Sequence, residues 1–497
     1  MTEIITQVSD ALWAYVLIAA LLGCGLWFTW RTRFVQFRMI GEMVRLLADA
    51  SVPAEREHKH VSSFQAFAVS VATRVGTGNL AGVATAIAIG GPGAVFWMWI
   101  IALIGAATAF VESTLGQLFK QRHADSFIGG PAYYIRRGLH SRWLSALFAV
   151  LLTITFGLSY NSIQSNTICS AMHEAFGWDP LWVGVALAAV ALVIVFGGIQ
   201  RIARVSAVLV PVMAIGYFVL AVVVIGMNIQ QLPHVLKLIV LDAFGVHQVA
   251  GGGLGATMMM GIKRGLFSNE AGEGSAPNVA ATAAVSHPVK QGLIQALGVF
   301  TDTLLVCSCT AFIILLSGLY TVPELNGIAL TQAALQQEVG AWGTFFVALA
   351  ILLFAFSSII GNYYYGEANV RFLTHHHLSP PTPHSSFLKG QANKFERIIR
   401  HSSFIIRHSS IITLYRLLSA GVMVLFGALA TLDLVWSLGD LCMALLTACN
   451  LVAIIALGRY AFRLLDDYRQ QKRRGIRNPV FHRHQLPEIA ADIDCWD

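Results

Sequence analysis

Residues 72–84 read ATRVGTGNLAGVA, and residues 251–277 read GGGLGATMMMGIKRGLFSNEAGEGSAP. Each lies in an otherwise apolar run and interrupts it with glycine. Glycine inside a helix costs about 1 kcal/mol relative to alanine. It also lets the backbone turn its N–H and C=O groups out of the helical ladder. Whether these stretches are ordinary loops depends on what the surrounding chain is buried in.

The composition answers that. Of 497 residues 56% are hydrophobic and 12% charged, where an ordinary globular chain has about 25% charged. Mean hydropathy is +0.66. No soluble core hides that much apolar surface, so lipid covers part of it. Disorder, coiled coil, collagen and disulfide-rich scaffolds are excluded. Eleven apolar segments follow one another at about 11–30, 62–89, 93–119, 143–172, 181–198, 205–227, 250–270, 292–319, 341–366, 414–435 and 437–458. Most reach the roughly 20 residues a helix needs to cross a bilayer. The expected fold is an all-α integral membrane protein of eleven transmembrane helices.

Charge placement orients it. The loops at 31–62, 120–142, 199–206, 261–292 and 371–416 and the tail from Arg459 hold 31 of the 33 Lys and Arg, and the opposite face has only Lys237. The positive-inside rule then puts the N-terminus outside and the C-terminus in the cytoplasm, as expected of a multi-pass protein of a bacterial inner membrane. Residues 1–10 carry two acids and no Lys or Arg, unlike a signal peptide. The basic tail reads as a juxtamembrane signal facing anionic lipid, with no nucleic-acid partner expected. Six of the seven cysteines fall inside apolar segments, where a thiol acts as a small hydrophobe; no disulfide, resident metal or cofactor is expected.

One stretch breaks the pattern. Residues 375–391 read HHHLSPPTPHSSFLKGQ, followed by a tandem heptad, RHSSFII at 400–406 and RHSSII at 407–412. Two copies are too few for a coiled coil, and 375–410 reads as a cytoplasmic loop insertion.

At membrane depth, irregular backbone is tolerated only where protein or water covers it. The two glycine-interrupted segments are the second and the seventh, and each opens a block of five. That is the pattern of an inverted five-plus-five repeat with its site near the midplane. It divides the chain into an extra N-terminal helix with connector (1–61), a first repeat (62–227), a second repeat (228–458) and a basic tail (459–497). Close helix packing through Gly78 and Gly82 is the competing explanation of the first cluster. A dinucleotide loop is not, because no strand or βαβ unit surrounds it.

The cores VGTGN (75–79), GLFSNEAGEGSAPN (265–278), FGLSYNSIQSNT (156–167) and FAFSSIIGNYYYGEAN (354–369) resemble the alanine/glycine:cation symporter family along nearly the whole chain apart from 375–410. The resemblance implies the fold of sodium-coupled amino-acid symporters with one added N-terminal helix. It implies inward movement of alanine or glycine with sodium, or with protons in some members.

A zwitterion in a dry site needs donors for its carboxylate and acceptors for its ammonium. A half-helix starting after the break at Gly76–Gly78 offers free N–H groups and a positive dipole end. The backbone of Gly76, Thr77 and Gly78 is therefore the expected carboxylate site, with Asn79 a side-chain donor or sodium ligand. Carbonyls near Met260, Gly261 and Ile262, in an unwound seventh segment, would take the ammonium. Gln164 is the expected polar side chain over the substrate, or else an interhelical hydrogen bond. The resemblance places sodium among the carbonyls of Ala72 and Val75 and the hydroxyls of Ser357 and Ser358. A second ion could sit at Asn79 and Asp302. It also implies an aromatic residue, often tryptophan, in alanine carriers where this chain has Asn362, which leaves alanine against glycine open.

Arg74, Glu112, Asp302 and Asp433 are ionisable groups inside apolar segments and need partners or a purpose. Arg74 could pair with a carboxylate and hold a gate, or contact substrate. Two alternatives to sodium symport stay open: proton coupling through Asp302 or Glu112, and a channel or receptor without coupled transport. No nucleophile elbow or paired acids at useful spacing point to an enzyme.

Overall fold

The computed structural model describes residues 2–51, 61–123, 126–245, 253–377 and 410–496, which are helical almost throughout. The helices used below are α1 (Glu3–Arg31), α2 (Ser63–Arg74), α3 (Gly78–Gly90), α4 (Ala94–Leu118) and α5 (Arg142–Phe176), then α6 (Pro180–Val195), α7 (Gly198–Met227) and α8 (Leu232–Ala243). They continue with α9 (Leu254–Asn269), α10 (Pro288–Ser317), α11 (Gly327–Val339), α12 (Trp342–His377), α13 (Ser410–Leu429) and α14 (Leu432–Arg473). Among the described residues seven helices are long and apolar enough to cross a membrane, or eight if the pair Ala214–Met227 and Leu232–Ala243, bent by 104°, forms one span. The chain is thus a multi-pass, all-α bundle. A short antiparallel hairpin, Gln121–His123 with Ser126–Ile128, is an exception to the all-helical expectation.

Over its described residues each expected apolar segment coincides largely with helix, but not every one is a full span by length and composition. α6 and α3 are shorter apolar helices, and α9 has 16 residues. Most of the 375–410 stretch, including the tandem heptad up to Ser409, lies outside the described residues; α12 runs on to His377 and α13 starts at Ser410.

The turn expected at 90–93 separates α3 from α4, and Asp242, at the end of α8, accepts the Gly93 N–H at 2.7 Å. α14 has 42 residues, roughly 63 Å at 1.5 Å per residue, about twice the hydrocarbon thickness. Its far end is held by the connector helix Ile40–Ser51: Tyr468 donates to Glu42 at 2.6 Å, and Lys472 pairs with Glu42 at 3.2 Å.

Two expectations need correcting. The seventh segment is not unwound at Met260–Ile262, because α9 runs unbroken through them. Its glycines there serve close packing: a Cβ on Gly261 would stand 2.4 Å from the Ala94 carbonyl oxygen of α4. Helix propensity is a weak prior, and tertiary contact overrides it. The helix ends instead at Glu270, in the left-handed region at φ 56°, and the turn passes through Gly272 (φ 104°) and Gly274 (φ 80°).

Second, Lys263 and Arg264 are not loop charges. Lys263 lies 2.9 Å from Asp440 and 3.1 Å from Asp10, and Arg264 holds Asp440 through two nitrogens at 2.9 and 2.7 Å. Removing them from the count leaves 29 of the 33 basic residues in the loops read from the sequence as cytoplasmic, so the asymmetry of the sequence survives.

Candidate functional site

The second segment breaks where its glycines are. α2 stops at Arg74, Val75 is extended (φ −78°, ψ 92°), and α3 restarts with a π-helical turn over Gly78–Gly82. Such widened turns recur at functional sites; among the described residues four more occur, at Trp13–Leu17 in α1, Thr155–Tyr160 in α5, Phe300–Cys307 in α10 and Leu417–Val422 in α13. All of Val75 to Gly82 is buried.

The break is held by side chains from other helices. The amide oxygen of Gln164, in α5, accepts both the Thr77 backbone N–H at 3.0 Å and the Thr77 hydroxyl at 2.7 Å. One acceptor thus takes two donors of the loop, the arrangement a carboxylate oxygen would need. Asn79 is engaged on both sides. Its Oδ1 accepts the Gly76 N–H at 2.9 Å, and its Nδ2 donates to Asp302 Oδ1 at 2.7 Å. Asp302 also accepts Ser268 Oγ at 2.7 Å and Thr303 Oγ1 at 2.9 Å. Asn79 and Asp302 therefore meet, as expected of the second pair, with each carboxylate oxygen already supplied with a donor.

The first set meets as well. Ser358 Oγ donates to the Ala72 carbonyl at 2.9 Å and lies 3.5 Å from that of Val75, while Ser357 Oγ lies 3.3 Å from the Ala72 oxygen. Both hydroxyls also bond back to Phe354 O, at 2.8 and 3.1 Å, as serines in membrane helices commonly do. Ala72 and Val75 carbonyls with Ser357 and Ser358 hydroxyls form a cluster of hard oxygens, the donor set that suits sodium by analogy with other hard cations.

Asn362, one turn beyond Ser358 on α12, is 1% exposed, and among the described residues neither its Oδ1 nor its Nδ2 has a partner. An unpaired buried amide costs roughly 1–3 kcal/mol per group. Met260, Gly261 and Ile262 do not join this site: Met260 packs on Gly90, and Gly261 on Ala94 and Trp97. The residues of α9 that reach the break are Phe267 and Ser268; a Cβ on Gly78 would stand 3.0 Å from Ser268 Cα and 3.1 Å from Phe267 Cδ1. The Phe267 ring packs tilted against Trp436 with centroids 4.9 Å apart, and Arg264 lies over Trp436 at 4.2 Å. The glycines at 272 and 274, directly after SNEA, were the sequence signal for this contact, since they mark where the helix stops.

Of the four ionisable groups, Asp433 is exposed at the start of α14. Glu112 is buried and accepts the N–H groups of Gly272 and Gly274, at 3.3 and 3.2 Å, so it clamps the turn. Arg74 makes no ion pair among the described residues; its Nη1 donates to the Gln295 carbonyl at 3.2 Å.

A multi-pass bundle whose buried helix break gathers carbonyls, hydroxyls and amides has the architecture of a membrane carrier of small polar solutes. The chain belongs to the sodium:alanine symporter family, whose profile matches residues 1–383 and 399–483; the unmatched 384–398 falls inside the stretch expected to be an insertion. It is 49% identical over 100% of its length, and 96% of the relative's, to the "Probable sodium/glutamine symporter GlnT" of Bacillus subtilis (strain 168). It is 45% identical, over 98% of its length and 96% of the relative's, to the "Amino-acid carrier protein AlsT" of the same organism. The "Sodium/proton-dependent alanine carrier protein" of Bacillus sp. (strain PS3) is 36% identical over 85% of this chain and 91% of its own. The family is one of transporters, not of enzymes.

Proposed function

We propose that this chain is a secondary symporter that imports a small neutral amino acid, alanine or glycine, together with sodium. The observation that carries the reading is the approach of the Ser357 and Ser358 hydroxyls to the Ala72 and Val75 carbonyls, 3.5 Å or less in three of the four pairs. Sodium at these oxygens would fix α12 against the broken helix pair α2 and α3, and so tie ion binding to the geometry of the Gly76–Gly78 loop. Substrate carboxylate would replace Gln164 on the Thr77 donors. Eleven crossings, with α2 to α7 and α8 to α14 as inverted repeats behind the extra α1, fit this reading. So do an external N-terminus and a cytoplasmic C-terminus in a bacterial inner membrane.

A second substrate reading is favoured by Asn362. Its bare amide suits a substrate with a polar side chain, such as glutamine, better than the methyl of alanine, and it agrees with the name of the 49%-identical relative. Uptake by proteoliposomes under an imposed sodium gradient, with labelled alanine and competing glycine or glutamine, tests both. Concentrative uptake driven by sodium is expected. Uptake that only equilibrates would refute symport and leave a channel; strongest competition by glutamine would favour the second reading.

A further inference from the structure

Three buried carboxylates surround the turn after α9, and the sodium and substrate sites use none of them. Glu112 is well supplied: besides Gly272 and Gly274 it accepts Asn450 Nδ2 at 2.9 Å. Glu270 accepts the Ser275 hydroxyl at 2.5 Å and that of Thr73 at 3.5 Å. Glu273 differs. It is 0% exposed, and among the described residues its Oε2 takes one donor, the Tyr160 hydroxyl at 3.2 Å, and its Oε1 takes none. Among the described residues, the cation whose charge acts on all three carboxylates is Arg74. Yet Arg74, 1% exposed, pairs with none of them, and its Nε and Nη2 are without partners among the described residues.

An ionised carboxylate has about four lone-pair sites for donors, and a buried charge left uncompensated costs several kcal/mol. A neutral acid leaves at worst one unpaired O–H, at roughly 1–3 kcal/mol. Glu273 is therefore better accommodated here with a proton than without. Arg74, at the end of α2, brings a guanidinium whose Nε and Nη2 are unpartnered among the described residues and whose charge reaches Glu273, so it can compensate the anion once the proton has gone.

We propose that Glu273 is a proton-binding site of the carrier, separate from the sodium oxygens, which exchanges its proton for an ion pair with Arg74 during transport. Release is a simple dissociation: the Glu273 O–H bond breaks, the proton passes to water, and the carboxylate left behind accepts from Arg74 Nε and Nη2. The groups facing Glu273 are Tyr160 from α5, Glu112 from α4, Arg74 from α2 and Glu270 from its own turn. The inference rests on the symporter reading and adds a second coupled ion to it.

The test uses purified full-length wild type and Glu273→Gln in proteoliposomes, at a fixed inward sodium gradient and clamped voltage, with and without an imposed pH gradient, acid outside. Labelled alanine or glutamine serves, whichever the wild type accumulates. Wild-type accumulation should rise several-fold with the pH gradient, while Glu273→Gln keeps sodium-driven uptake and loses that response. A wild type indifferent to the pH gradient, or a variant that still responds, overturns the proposal. If Glu273→Gln carries nothing, Tyr160→Phe decides. Losing the one donor to the anion should move the midpoint of the pH response to higher pH, and an unmoved midpoint overturns the proposal. A wild type without sodium-driven accumulation would instead refute the symporter reading, and a response to the pH gradient alone would still support the proton site.

Discussion

Ser358 Oγ lies 2.9 Å from the carbonyl oxygen of Ala72, a residue 286 positions earlier in the chain. That contact joins α12 to the last turn of α2, just before the backbone leaves the helix. Any ion held there would lie next to a carbonyl whose helical partner is lost at the break, and this supports the proposed assignment of the two serines to sodium.

Replacing both, Ser357→Ala with Ser358→Ala, removes the two hydroxyl oxygens and leaves the carbonyls. The sodium concentration for half-maximal uptake should rise about tenfold or more, the scale of losing groups that support a bound metal. Linkage requires apparent substrate affinity to fall with it at limiting sodium. An unchanged sodium dependence in a folded double variant places the ion elsewhere.

Asp440 compensates two buried cations at once, Lys263 at 2.9 Å and Arg264 at 2.7 Å. Asp440→Asn leaves both charged and buried, a change that costs roughly 3–5 kcal/mol. Asp10, whose side chain is 43% exposed, contributes about 1 kcal/mol or less. Thermal unfolding in detergent should therefore fall sharply for Asp440→Asn and little for Asp10→Asn. Equal stabilities would mean that Lys263 and Arg264 have other counter-charges.

The fate of Lys263 and Arg264 shows where the sequence was legible and where it was not. Hydropathy and the break at 76–79 were local signals, and the helices follow them. The two basic residues resemble loop charges in sequence because their partners, Asp10 and Asp440, are at least 176 positions away. The same applies to Gly261, whose purpose is the Ala94 carbonyl of α4. From sequence, a packing glycine and an unwinding glycine are the same letter. Ser357 and Ser358 were reached through family resemblance, since nothing in their own segment separates them from serines that bond back to their helix.

Single cysteines can check the orientation. Gln230→Cys, in the turn between α7 and α8, should react with an impermeant maleimide in intact cells, and Gln391→Cys should not. The charge asymmetry motivates the expectation; the reverse labelling would invert the protein.

Glu42 gives a pH-dependent prediction outside the membrane. Burial opposes its charge, but hydrogen bonds from Arg45, Tyr468 and Lys472 outweigh it and hold the carboxyl down at about 2. Because the folded value is depressed below the ordinary 4.5, the stabilisation is complete above pH 4.5 and is lost as pH falls towards 2. With water reaching the pair, about 1 kcal/mol is at stake. Unfolding temperature should drop more steeply with acid in wild type than in Glu42→Gln over that window. Parallel curves would show that Glu42 does not couple the connector helix to α14.

Gly78→Val tests the centre of the site. A Cβ at Gly78 would stand 3.0 Å from Ser268 Cα and 3.1 Å from Phe267 Cδ1, so even alanine is tight, and the methyls of valine must push α9 away from the break. The loop would lose the close approach that sets Thr77 on Gln164, and its donors would no longer converge. Valine is apolar and does not hinder membrane insertion, so the variant should reach the membrane while uptake falls at least about tenfold. If the glycine serves packing only, stability falls in step with activity and each folded molecule still transports. Binding and uptake are therefore to be measured on purified Gly78→Val alongside its thermal unfolding. Normal substrate binding by that variant would remove the Thr77–Gly78 loop from the carboxylate site, and weakened binding at near-native stability would keep it there.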